Sequence, residues 1–267
     1  MAADLKLCNI MTGITSHSSM HPCTWCNANK HRLHLSGAPR TIGSLHDCFW
    51  QYFECGSQRA TAKRFDNVVH PSLLIGPQAD LVLDHLPPPE LHLLTGPVAT
   101  IYSSLVSIWP EACMWLKACN VETESYHGQS FTGNSARRLL KNVDKLQSMC
   151  PIECLKYVKV FRAFERVVTS CFGTSLDSNY RENIQRFRDA YMDLSVRVTP
   201  KIHAVFHHIA EFCERKGCGL GPYSEQASES VHHDFNKIWL HFKRPYSHSD
   251  FADHLLKALQ VYNSRHI

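Results

Sequence analysis

Long hydrophobic runs, internal repeats, low-complexity tracts and Gly/Ser linkers are all missing from this 267-residue chain. Apolar stretches such as Leu105 to Trp109 fall far short of the roughly 20 residues a bilayer span requires, so no membrane partner is expected. The opening Met1-Ala2-Ala3-Asp4-Leu5-Lys6 carries an acid and no apolar core, which reads against a secretory signal. Charge is scarce as well: Asp, Glu, Lys and Arg make up 19% of residues, and the formal excess is only +4. Such a weak excess names no partner by itself, because solvated surface Lys and Arg account for it. With 44% apolar content the chain can still bury a core, over one or two domains.

Cysteine and histidine are plentiful, at 12 and 18 residues. Without a signal peptide the cysteines read as reduced thiols, core residues or metal ligands rather than a disulfide framework.

Secondary structure is expected to be mainly α. The first 20 residues read as a short strand or helix with a loop, and His21 to about Asp80 as irregular chain. After Pro87-Pro88-Pro89, apolar residues at helical spacing (Leu91, Leu94, Val98, Ile101, Leu105, Ile108) predict a helix over 90–109. Pro110 opens a second short helix to Cys119, and Asn134 or Ser135 would cap a third through Leu146. Further helices are expected at 152–170, 178–194, 200–214, 222–241 and 248–262. Thr199-Pro200 is a start signal and Lys216-Gly217 a stop.

Cys23-Thr24-Trp25-Cys26 is the sharpest local signal. Two thiolates three positions apart can grip one Zn²⁺ from a tight turn, each sulfur about 2.3 Å from the ion. The thioredoxin-like context that a redox reading requires is lacking. The missing half of a zinc site could come from His203, His207 and His208. Spacing favours His203 with His207, which share a helix face. His203 and His208 fall about 140° apart on an ideal helix and need the ion near its axis, or a bend. Glu225 and Glu229 lie one turn apart in Ser224-Glu225-Gln226-Ala227-Ser228-Glu229-Ser230, with His232 and His233 beyond. Mid-helix Glu is ordinarily a solvated helix former, but here its neighbours are small residues and His rather than Lys. Asp4 stands alone at the other end of the chain, and nothing in the spacing joins it to Glu229.

Five blocks taken in order resemble the catalytic region of the V(D)J recombinase large subunit and the related Transib-type DNA transposases. They are Asp4-Leu5-Lys6, Cys23 to Ala28, Thr132-Gly133-Asn134-Ser135-Ala136-Arg137-Arg138-Leu139, His203 to Glu211, and Leu220-Gly221 through Glu229-Ser230. Together they span about residues 4–245. The resemblance implies a partial RNase H-like α/β nuclease core interrupted by a long helical, zinc-binding insertion. The core's opening segment would be 1–26, the insertion 27–198, and the zinc-histidine, third-acid and C-terminal helices 199–267. It carries the zinc ligands over to Cys23, Cys26, His203 and His208, siding with His208 against the helix-face argument for His207. It also makes Asp4 and Glu229 catalytic ligands of Mg²⁺ or Mn²⁺, in a nuclear enzyme that nicks and transfers DNA strands.

That chemistry suits the residues. Two divalent ions about 3.5–4 Å apart activate a water or 3′-hydroxyl and stabilise the leaving oxygen. Hard carboxylates suit Mg²⁺, while thiolates and imidazoles suit Zn²⁺. The family's first catalytic Asp lies upstream of the second, and only Met1-Ala2-Ala3 precede Asp4. The chain is therefore expected not to cut DNA by itself. The alternative expectation is a non-catalytic, zinc-stabilised module that binds DNA or protein, and the plainest is a helical domain with buried Cys and His. The resemblance also implies a homodimer or a partner subunit. For DNA phosphates, Arg137, Arg138 and Lys141 are the leading cations, with Lys30-His31-Arg32, Arg59/Lys63/Arg64 and Lys243-Arg244 as others. Arg137 and Arg138 gain weight from an expected helix N-terminus.

Overall fold

Some helices begin at side-chain caps that the sequence supplies, including one that hydrophobic spacing alone does not reveal. A computed structural model describes residues 4–123, 131–224 and 226–264. The chain divides into two compact units, residues 1–224 and 225–267.

In the first unit, α1 (Leu5–Thr12) is capped by Asp4, whose Oδ1 accepts the Leu7 N–H at 2.6 Å. It ends at Gly13, whose φ of 75° is left-handed. A Cβ there would lie 2.0 Å from the His70 carbonyl oxygen, so only glycine fits. The expected irregular stretch contains a helix, α2 (Ile42–Glu54), opened by a reciprocal box between Thr41 and Ser44. Serine replaces the usual Glu or Gln at the third position, which hides the signal. A 3-10 segment (Arg59–Phe65) and α3 (Val82–His85) follow.

The expected 90–109 helix is α4 (Glu90–Ile108). By length and composition it could cross a membrane, with a mean hydropathy of 1.3, which corrects the expectation that no segment approaches a span. It also carries Pro97 and lies against three neighbours in a protein core. These are α6 (Gly133–Lys141), α8 (Leu155–Cys171) and α10 (Pro200–His207). Between α4 and α6, α5 (Cys113–Ala118) places Trp115 fully inside, its ring 5.0 Å from Phe161. The cap of α6 is Thr132, accepting from Ser135 N–H, rather than Asn134 or Ser135. After α7 (Val143–Met149), α8 pairs with α9 (Tyr180–Met192) through Phe164 and Phe187, 4.8 Å apart.

Thr199 caps α10 as expected, with Pro200 in the first turn. The helix then breaks at His208 (φ −110°, ψ −24°) before α11 (Ile209–Lys216), which stops at left-handed Gly217.

The second unit holds α12 (Gln226–Phe242) and α13 (Phe251–Ser264). Their contact is aromatic: Trp239 lies 5.6 Å from Phe251, and Phe235 lies 6.0 Å from Tyr262.

The molecule is thus mainly α. Extended pairing among the described residues is limited to isolated bridges such as Ile14 with Val68 and Cys26 with Pro39. No strand among them builds the α/β part of the expected core.

Candidate metal centre

The Cys23–Cys26 turn and the broken α10–α11 helix meet in the first unit. Cys23, Cys26, His203 and His208 are all buried, and one ligand atom from each lies within 4.8 Å of every other. Cys23 Sγ is 3.2 Å from His208 Nε2, Cys26 Sγ is 3.2 Å from His203 Nε2, and the two Nε2 atoms are 3.2 Å apart. A tetrahedral zinc with ordinary Zn–S and Zn–N bonds would set donor–donor edges of about 3.3–3.8 Å. Two soft thiolates with two imidazoles are a zinc-type donor set, and with all four donors from protein the site is closed.

Hydrogen bonding supports that reading. His203 Nδ1 lies 2.8 Å from the Leu33 carbonyl oxygen, which can only accept. Its proton therefore sits on Nδ1, and the Nε2 lone pair faces the cluster, as a metal ligand requires. His208 Nδ1 has no such partner. The break at His208 explains how residues five apart face one point, and it decides between the candidates. His207 turns its Nε2 toward the His34 carbonyl at 3.2 Å and stays out of the cluster. Burial, with His203 and Arg188 nearby, pushes the His207 imidazole down to about 4.

Burial pushes the Cys23 thiol well up, reinforced by Cys26. A hydrogen bond from Cys23 holds Cys26 well below the ordinary thiol range, against burial and with help from His203 and His208. One thiolate therefore forms readily and the second resists, until a cation neutralises both.

The knuckle has an internal anchor that sequence reading missed. Arg40, 3% exposed, donates Nε to the Cys23 and Cys26 carbonyls, and Nη2 to those of His21 and Asp66. Burial pulls its guanidinium down, opposed first by Asp66 and then by the two cysteines. Zn²⁺ with two thiolates is neutral, and so is Arg40 with Asp66. No motif flags an Arg 14 positions beyond a thiolate. Trp25 packs inside, donating Nε1 to the Leu86 carbonyl at 2.8 Å with its ring 5.5 Å from His208.

The acids are placed differently. Asp4 caps α1 and joins no cluster of ligand side chains among the described residues. Glu229 lies on α12, in the second unit, and Glu225 lies outside the described residues. The cations are also engaged. Arg137 pairs with Glu90, which is 3% exposed, and Arg138 donates to the Asn120 carbonyl. Arg137 sits at the middle of α6 and Arg138 in its last turn, with exposed Lys141 at its end, so the expected help from a helix N-terminus is corrected.

No protein-family model matches the chain, and no curated protein matches it.

Proposed function

We propose that this chain is a zinc-stabilised, non-catalytic DNA-binding module of the V(D)J recombinase and Transib transposase type. The observation that carries the zinc part is the convergence of Cys26 with His203, 177 positions apart, beside Cys23 and His208. A closed, buried four-ligand ion is structural: it clamps the start of the helical insertion to the helices that close it. On this reading DNA is the partner and the nucleus the compartment, and a second copy or a partner subunit completes the assembly. Surface cations such as Lys141, Lys63 and Arg64 would supply phosphate contacts.

A second reading keeps two-metal strand transfer. It is favoured by the presence of both Asp4 and Glu229 at positions like those of the family's second and third acids. They would bind Mg²⁺ or Mn²⁺ within an RNase H-like core, and their own contribution would be to hold the ions against the phosphate. Asp4's employment as a helix cap favours the first reading.

The test incubates zinc-loaded protein with supercoiled plasmid in Mg²⁺ or Mn²⁺ and follows both retardation and nicking. The module reading expects salt-sensitive retardation without nicking. Nicking that disappears in both Asp4→Asn and Glu229→Gln would establish the second reading, and no retardation at low salt would remove DNA from the account.

A further inference from the structure

Two cysteines outside the four-residue cluster meet in the core of the first unit. Cys171 is the last residue of α8, Cys213 lies on α11, and both are fully buried. Their thiols are in hydrogen-bonding contact, and the Cys171 sulfur also lies 3.1 Å from the Val167 carbonyl oxygen. A disulfide forms without backbone movement only between cysteines whose side chains already face each other at short range, and direct contact of the two thiols is that starting arrangement.

A backbone frame holds the pair in place. The Cys171 carbonyl accepts from Leu220 N–H at 2.9 Å, and the Cys213 carbonyl accepts from Gly217 N–H at 2.8 Å. The short chain 217–220 therefore joins the two cysteines' own carbonyls. Gly219 N–H bonds the Thr174 carbonyl at 3.2 Å and Gly221 N–H the Gly173 carbonyl at 3.0 Å, so residues 217–221 lie across the end of α8 as a cover. Glycine is required at 219, where a Cβ would lie 2.1 Å from the Gly173 carbonyl oxygen. A glycine-rich strip held by a few backbone hydrogen bonds opens locally at far lower cost than the helices beneath it.

We propose that Cys171 and Cys213 are a redox-active pair, which a hydroperoxide converts to a disulfide that fastens α11 to the end of α8. Cys213 is the nucleophile. The hydrogen bond from Cys171 pulls its thiol below the ordinary range against burial, while the same contact, reinforced by burial, pushes the Cys171 thiol well up. With the cover open, the Cys213 thiolate attacks one peroxide oxygen and the O–O bond breaks. Cys213 becomes a sulfenic acid, and the other oxygen leaves with the proton that Cys213 gave up, as water when the oxidant is hydrogen peroxide. The Cys171 sulfur then attacks the sulfenic sulfur, the S–O bond breaks, and hydroxide leaves as water with the Cys171 proton. In sum the peroxide takes two electrons and two hydrogens from the pair. The step uses no residue of the Cys/His centre and none of the proposed DNA contacts.

The test uses the full zinc-loaded chain carrying Cys55→Ser and Cys113→Ser, which removes two exposed thiols. It is treated with a few equivalents of hydrogen peroxide, then mapped by peptide mass spectrometry without reduction and melted. The expected product is a peptide pair joined through Cys171 and Cys213, reversed by dithiothreitol, in a chain that melts several degrees higher than the reduced form. Cys213→Ala should leave Cys171 unoxidised, and Cys171→Ala should stop at a Cys213 sulfenic acid that dimedone traps. Gly219→Ala, whose cover cannot seat, should form the same disulfide about tenfold faster. Thiols that both stay free, a link made through Cys218 instead, a link that forms only in urea, or Cys213 driven to sulfinic acid with no link would each overturn the proposal. A Gly219→Ala chain that oxidises no faster would overturn the role of the cover.

Discussion

The two ligand sets of this chain met different fates. The soft set, Cys23, Cys26, His203 and His208, converges inside one unit with its supports in place: a Leu33 carbonyl behind His203, Arg40 behind the knuckle and a helix break at His208. The hard set draws one acid from each unit. Asp4 is occupied as a helix cap in the first unit, and Glu229 belongs to the second. The difference teaches that a ligand set shows itself when its members have no cheaper local use. A buried thiolate and an imidazole with its Nδ1 proton already committed are costly without a cation, whereas a carboxylate at a helix N-terminus is satisfied by backbone N–H groups alone.

Removing a ligand of the soft set should have the largest effect. Structural zinc in small modules is worth about 10–16 kcal/mol of apparent binding free energy, comparable with or above the whole stability of a domain. Cys26→Ser and His203→Ala should therefore abolish zinc retention and cooperative melting, read by native mass spectrometry and circular dichroism. His208→Ala should do the same, although its Nδ1 lacks a partner. His207→Ala should keep the ion, and the reverse pattern would reassign the ligand.

Next in size is the anchor. Arg40→Met leaves four buried or half-buried carbonyls short of a donor, at about 1–3 kcal/mol for a fully buried one. A loss of several kcal/mol in urea unfolding is expected with zinc still bound. A neutral result would make Arg40 a bystander.

A smaller effect sharpens the choice of histidine. The folded His207 value of about 4 lies below the ordinary 6.5, so the unfolded chain binds the extra proton first. The neutral form's contribution is whole above pH 6.5 and is lost as the pH falls toward 4. His207→Gln should flatten the stability–pH slope over that window relative to the parent, in parallel urea titrations. An unchanged slope would show that His207 does not titrate with folding.

The smallest effect concerns Asp4. Asparagine caps as well as aspartate, so Asp4→Asn should melt like the parent, while Asp4→Ala should lose about 1 kcal/mol. Equal, large losses in both would assign Asp4 a role beyond the cap.

Much of this was legible in the sequence, for reasons that can be named. The helix spacing from Leu91 to Ile108, the Thr199-Pro200 start and the Gly217 stop are local signals, and the structure follows them. Of the centre, the Cys-x-x-Cys half was visible, and the His203/His208 half came from resemblance rather than geometry, because spacing on an unbroken helix favours His207. The break at His208 is a tertiary choice with no sequence mark. α2 was missed because serine completes its box, and Arg40 because a buried cation's partners are backbone carbonyls, which carry no sequence identity.

On this reading the four-residue cluster holds one structural zinc. Native mass spectrometry of the purified chain, followed by melting with and without a chelator, tests it most directly. One zinc per chain and loss of the cooperative transition on chelation are expected. A metal-free chain that melts cooperatively at the same temperature in either condition would contradict it.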